Sequence, residues 1–138
     1  MDQPYDLLTG IVHFAAYFGL SLVFLIAFKF LYALVTPHDE WKLIREDKNA
    51  AAAIGFGGAV LGFAIAVGGA ASNSVSIIDF ATWAGVALIA QLIAFAIIRF
   101  GFMPRIVERI EDGELSAGIM LAATTISVGV LNAACMSY

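Results

Sequence analysis

Four long apolar runs, parted by short connections that hold most of the charge, make up nearly the whole chain. The first covers residues 7–34 and is uncharged until Lys29; the second covers 50–71 without a charge. The third covers 80–98 and is closed by Arg99; the fourth covers 115–136 and is again uncharged. A helix needs ~20 apolar residues to cross ~30 Å of hydrocarbon, and each run is close to that length or longer. Barrel strands would instead alternate apolar and polar positions in segments of ~10 residues, whereas these runs are apolar on every face. The pattern predicts an all-α integral membrane protein with four transmembrane helices in a single domain.

Composition narrows the reading further. Charged residues are 13% of the 138 and hydrophobic ones 62%, whereas a soluble domain carries ~25% charge. No polar coat can be made from so few charges, which excludes a water-soluble globule. The acidic leader before residue 7 and the length of the first run do not fit a secretory signal, so that span is expected to stay in the chain. A lone cysteine, Cys135, excludes an internal disulfide framework and a Cys-rich metal site. The net charge of −4 leaves no basic footprint for nucleic acid. Nucleophile elbows, zincin helices, P-loops and dinucleotide fingerprints are absent. No enzyme activity, cofactor or metal is expected.

The cations set an orientation. Lys29, Lys42, Arg45 and Lys48 lie at or after the end of the first run, and Arg99, Arg105 and Arg109 lie between the third and fourth. The termini and the 72–79 connection carry none. Positive charge in short loops favours the cytoplasmic side, so both termini are expected on the non-cytoplasmic side. His13 and His38 then sit at opposite faces, too far apart to share a haem.

The two halves also resemble each other. A shift of 65 residues lays Glu46-Asp47 on Glu111-Asp112, Ile54 on Ile119, and Gly57-Gly58 on Ala122-Ala123. Both halves read as span, proline, charged connector ending Glu-Asp, then a span rich in small residues. The expectation is two tandem helical hairpins of parallel topology, 7–71 and 80–136, related by a half-turn about the membrane normal. Each connector is expected to form a short amphipathic helix at the cytoplasmic interface. Trp41 would anchor the first, with Lys42, Arg45, Arg105 and Arg109 facing water; a merely solvated linker is the plainer alternative.

Small residues single out the second and fourth spans. Gly58-x-x-x-Gly62-x-x-x-Ala66 forms one stripe; Ala122, Gly129 and Ala133 line the other. In lipid such residues let backbones approach for dispersion contacts. They predict a packing or oligomer seam between these spans or between copies. The bulky spans, decorated by Phe14, Phe18, Phe28 and Phe95 among others, are expected to face lipid. Three polar groups lie inside the membrane: His13, Gln91 and Asn132. For the amides, hydrogen bonding between helices is the plain reading, and a pathway lining is the functional one.

Two stretches carry a family resemblance. Thr36-Pro37-His38-Asp39-Glu40-Trp41-Lys42-Leu43-Ile44-Arg45-Glu46, running into Asn49-Ala50-Ala51-Ala52-Ala53, is one; Leu131-Asn132-Ala133-Ala134-Cys135-Met136-Ser137-Tyr138 is the other. Together the chain resembles the bacterial YjfL-type inner-membrane proteins, a domain-of-unknown-function family with paired two-helix repeats. Asp47-Lys48 stands where that pattern carries a glycine-containing turn. The resemblance implies the bacterial cytoplasmic membrane and a peripheral partner of membrane-stress type, but no catalytic residues. The functional expectation is an oligomeric interaction module of membrane homeostasis, bound to the lipid bilayer, to copies of itself and to such a partner. The alternative is a small ion or solute channel lined by the second and fourth spans.

Overall fold

A computed structural model describes residues 6–35, 40–102 and 105–136 of the chain. The order is α1 (Leu7–Val35), α2 (Glu40–Arg45), α3 (Ala50–Asn73), α4 (Ile77–Ile97), α5 (Ile106–Glu111) and α6 (Leu115–Ala134). α4 runs on into a π-helical turn, Ile98–Phe102. The four long helices are each long and apolar enough to cross a membrane. Pro37, His38 and Pro104 lie outside the described residues, as does the side chain of Trp41.

Local chemistry starts the second and third spans. The Asn49 side chain accepts from Ala52 N–H at 3.0 Å and caps α3. Ser76 Oγ accepts from Asp79 N–H at 3.1 Å, and the Asp79 carboxylate accepts from Val75 N–H at 3.0 Å. This reciprocal arrangement satisfies donors that the first turn of α4 leaves free. Ahead of α3 the chain reverses through Lys48, φ 50°, and ahead of α6 through Gly113, φ 78°.

Aromatic contacts fix the relative course of the helices. Tyr17 packs on Phe80 with ring centroids 5.1 Å apart, and Tyr32 packs on Phe95 at the same separation. The later residue of α1 meets the later residue of α4, so the two helices run parallel. Phe28 stacks on Phe63 of α3 at 4.8 Å, and Tyr32 reaches Phe56 at 5.7 Å; α1 and α3 therefore run antiparallel. Phe28 and Phe95 were expected to face lipid, and here they are corrected: both are fully buried. Tyr17, Phe24, Phe28 and Tyr32 recur at helical spacing and form one inward stripe of α1. Phe14, Phe18 and Phe30 are exposed.

The tightest contact in the molecule joins α3 and α6. α4 packs on both of them, while α1 lies outside against α4 and α3. Ala51 meets Gly118, Gly58 meets Ala122, Gly62 meets Thr125, and Gly69 meets Ala133. The partners advance together along both helices, so α3 and α6 also run parallel. A half-turn would bring the same face of each helix to the seam, and the structure departs from that expectation. Carried forward by the shift that aligns the two halves in sequence, Ala51, Gly58, Gly62 and Gly69 become Ser116, Ala123, Ser127 and Ala134. All four are exposed on the far side of α6. The two seam helices are related side by side, as by a lateral shift.

Candidate functional site

The seam is built by removing side chains. A Cβ on Gly58 would fall onto Ala122, one on Gly62 would strike the Thr125 carbonyl, and one on Gly129 would strike the Gly62 carbonyl. A Cβ on Gly55 would lie 2.9 Å from Leu121 Cδ2. Helix backbones thus touch from the Ala51–Gly118 level to the Gly69–Ala133 level. In lipid this close approach supplies the dispersion contact that apolar burial alone does not. Ala66, on the same helix, is fully buried, and Ala133 is half-buried.

Gln91 of α4 enters the middle of this seam. Its residual exposure is 2%, and Nε2 donates to the Thr125 carbonyl at 3.2 Å. The acceptor fixes the amide orientation, because turning it would set two oxygens face to face. Oε1 is buried and has no hydrogen-bond partner among the described residues. Thr125 Oγ1 is satisfied locally, donating to Leu121 O at 2.9 Å. Asn132 Nδ2 donates to Ala87 O of α4 at 3.4 Å, a long bond from a half-buried side chain. Gln91 and Asn132 thus both tie α4 to α6. His13 is apart from them: it is exposed and lines a cavity of about 440 Å3 with Tyr17 and Ser76 at the α3–α4 turn. Among the described residues no group of three His, Cys, Asp or Glu could hold a metal ion.

At the other end the connectors form a platform. Ile106 and Ile110 of α5 are fully buried, and a Cβ on Gly55 would reach Ile110 Cδ1 at 3.8 Å. The apolar face of α5 is therefore taken up by the bundle. Its polar side carries Arg105 paired with Glu108 at 2.9 Å and Arg109 paired with Glu114 at 2.7 Å. The Arg109 hydrogen bonds hold the Glu114 carboxyl below its ordinary range. Lys42 and Arg45 of α2 are exposed. Asn49 joins the two connectors: besides capping α3, Nδ2 donates to Ile110 O at 2.7 Å and to Glu111 O at 3.3 Å. Sequence reasoning missed this residue as a site. The signal for its cap was legible, an Asn before an alanine run. Its reach to the carbonyls of Ile110 and Glu111, in the other half of the chain, was not.

The domain of unknown function called DUF350 matches residues 6–136. The UPF0719 inner membrane protein YjfL of Escherichia coli strain K12 is 39% identical over 132 residues, covering 96% of this chain and 98% of the relative. The UPF0719 transmembrane protein YshE of Bacillus subtilis strain 168 is 30% identical over 122 residues, covering 87% of this chain and 88% of the relative. No solved structure matches the chain. Four apolar spans, a match across nearly their full extent and relatives of similar length agree: the chain is a membrane protein belonging to the DUF350 family.

Proposed function

We propose that the chain is a homo-oligomeric interaction module of the bacterial inner membrane, without catalytic activity. In this reading it serves membrane homeostasis by holding a peripheral cytoplasmic partner on its connectors. The observation that carries this reading is the connector platform. With Ile106 and Ile110 buried and Asn49 bonded to the end of α5, the Arg105 and Arg109 ion pairs stand on a fixed base. Surface pairs of this kind add little stability, and a rigid, charged surface suits recognition. The name of the Escherichia coli relative supports the inner membrane, and the bias of cations in the connectors supports their placement in the cytoplasm.

The channel reading draws less support. The second and fourth spans meet backbone to backbone, which leaves no lumen between them, and Gln91 is sealed at their junction. The test has two arms. Co-purification from bacterial membranes should retain a peripheral protein of membrane-stress type, and the Arg105→Glu/Arg109→Glu double variant should lose it. Purified protein in proteoliposomes should conduct no ions. Flux abolished by Gln91→Leu, with no partner retained, would overturn the reading in favour of a channel.

A further inference from the structure

Close aromatic packing joins α1 to α3 toward the connectors. There Phe28 stacks on Phe63 with ring centroids 4.8 Å apart, and Tyr32 reaches Phe56 at 5.7 Å. Phe63 lies near the middle of α3, Ala50–Asn73. Beyond that stack, toward the α3–α4 turn, the two helices part. A cavity of about 160 Å3 comes first, between Ser21 and Leu25 of α1 and Ala64, Val67 and Gly68 of α3. Farther out lies the cavity of about 440 Å3, between His13 and Tyr17 of α1 and Ser76 and Ile77 at the turn. His13, Tyr17, Ser21 and Leu25 recur at four-residue intervals, so both cavities open on a single ridge of α1.

The gap has the reach of one leaflet. From His13 to Leu25 the helix rises ~18 Å at ~1.5 Å per residue, against ~15 Å for half of a ~30 Å hydrocarbon core. Its free polar groups stand at the outer end. Ser76 Oγ accepts from Asp79 N–H. The Ser76 and Tyr17 hydroxyls and the His13 ring donate to no partner among the described residues. The deeper end is apolar, and the Ser21 hydroxyl there is already satisfied, donating to the Tyr17 carbonyl at 2.7 Å. A helix, ~10–12 Å across, is too wide for a cavity of about 160 Å3. A hydrocarbon chain is not.

We infer that this gap holds one phospholipid of the leaflet away from the connectors, its acyl chain between α1 and α3 and its phosphate at His13, Tyr17 and Ser76. Phosphate and ester oxygens are acceptors, and they match the three free donors at the mouth. The charge of the head follows from its surroundings. No Lys or Arg precedes Lys29 or lies in 72–79. The Asp79 carboxylate accepts from the N–H of Val75, a residue of the cavity wall, at 3.0 Å. An acidic end without cations disfavours an anionic head. A zwitterionic phospholipid, with an amine beside its phosphate, fits both the donors and the negative charge. The site is separate from the partner platform and from any contact between copies.

The test places the purified protein in liposomes of phosphatidylethanolamine and phosphatidylglycerol in equal amounts, the former carrying a diazirine at the end of its acyl chain. After illumination, peptide mass spectrometry should find the label at Leu25, Ala64, Val67 and Gly68. Label spread evenly over the exposed residues of all four long helices would overturn the site. Native mass spectrometry after detergent exchange should find phosphatidylethanolamine retained on the protomer. Phosphatidylglycerol retained equally would overturn the zwitterionic head. A Cβ on Gly68 would meet nothing within 4 Å, so Gly68→Leu fills the gap without crowding the protomer. This variant should lose both the label and the bound lipid while its Tm in detergent is kept. His13→Ala should lower retention about fivefold, which is what one hydrogen bond is worth. Retention unchanged in Gly68→Leu would overturn the inference.

Discussion

Lys48 holds φ 50° at the reversal before α3, where the counterpart before α6 is Gly113 with φ 78°. A side chain in this left-handed region costs ~1–2 kcal/mol, and the lysine is exposed there. Lys48→Gly should therefore raise stability by about 1 kcal/mol, read as a higher Tm in detergent. The neighbouring Asn49→Ala should act oppositely. It strips the cap of α3 and the donor to Ile110 O together, and should lower stability by ~1–2 kcal/mol. An unchanged Tm for Asn49→Ala would show that the two connectors are held together by something else. Acid should loosen the same region through Glu114. Its carboxyl is held below its ordinary range by Arg109, so the pair's contribution is complete above the ordinary carboxylate range. It is lost as pH falls through the lowered value. At this exposed site the effect is small and shrinks further with salt.

Helix against helix, the two glycine faces of α3 should respond differently to bulk. Gly62 abuts the Thr125 carbonyl with the Gln91 amide beside it. Gly62→Leu must push α6 and α4 away and should cost about 1–3 kcal/mol or more through overpacking. Gly57 has open space, and leucine there should leave the protomer as stable as before or gain up to ~1 kcal/mol in helix preference. Thermal melts of both variants in detergent check the pair; equal losses would mean that the outward face of α3 is packed within the protomer. Gln91→Leu belongs to the same element scale. It removes one hydrogen bond and also an oxygen without a partner among the described residues, so its stability should change little, within ~1 kcal/mol.

For the whole molecule, the proposed orientation rests on the cations. Six of the seven Lys and Arg follow the first and third apolar runs and Lys29 lies near the end of α1, with both connectors on one side of the four-helix array. A cytoplasm-active reporter fused after Lys48 or Glu114 should be active, and one fused after Tyr138 should be silent. Activity after Tyr138 would reverse the orientation and move the proposed partner platform to the other side of the membrane.

The four spans were legible in the sequence because transfer into hydrocarbon is nearly a sum over residues and needs no knowledge of neighbours. The small-residue stripes of the second and fourth spans were legible as well, since only small side chains let helices approach in lipid. Which way each face turns was decided by the tertiary structure. Phe28 and Phe95 are buried while Phe14 and Phe18 are exposed, although composition ranks them alike. The reason is that a phenylalanine gains about as much against a lipid tail as against another helix, so hydrophobicity does not tell inside from outside in a membrane. Shape does, and shape belongs to pairs of helices. The same holds for the Gly62–Gly129 backbone contact, the insertion of Gln91, the reach of Asn49 to Ile110, and the opposed faces of α3 and α6. Each depends on two segments distant in the chain, and becomes definite only once their backbones are packed.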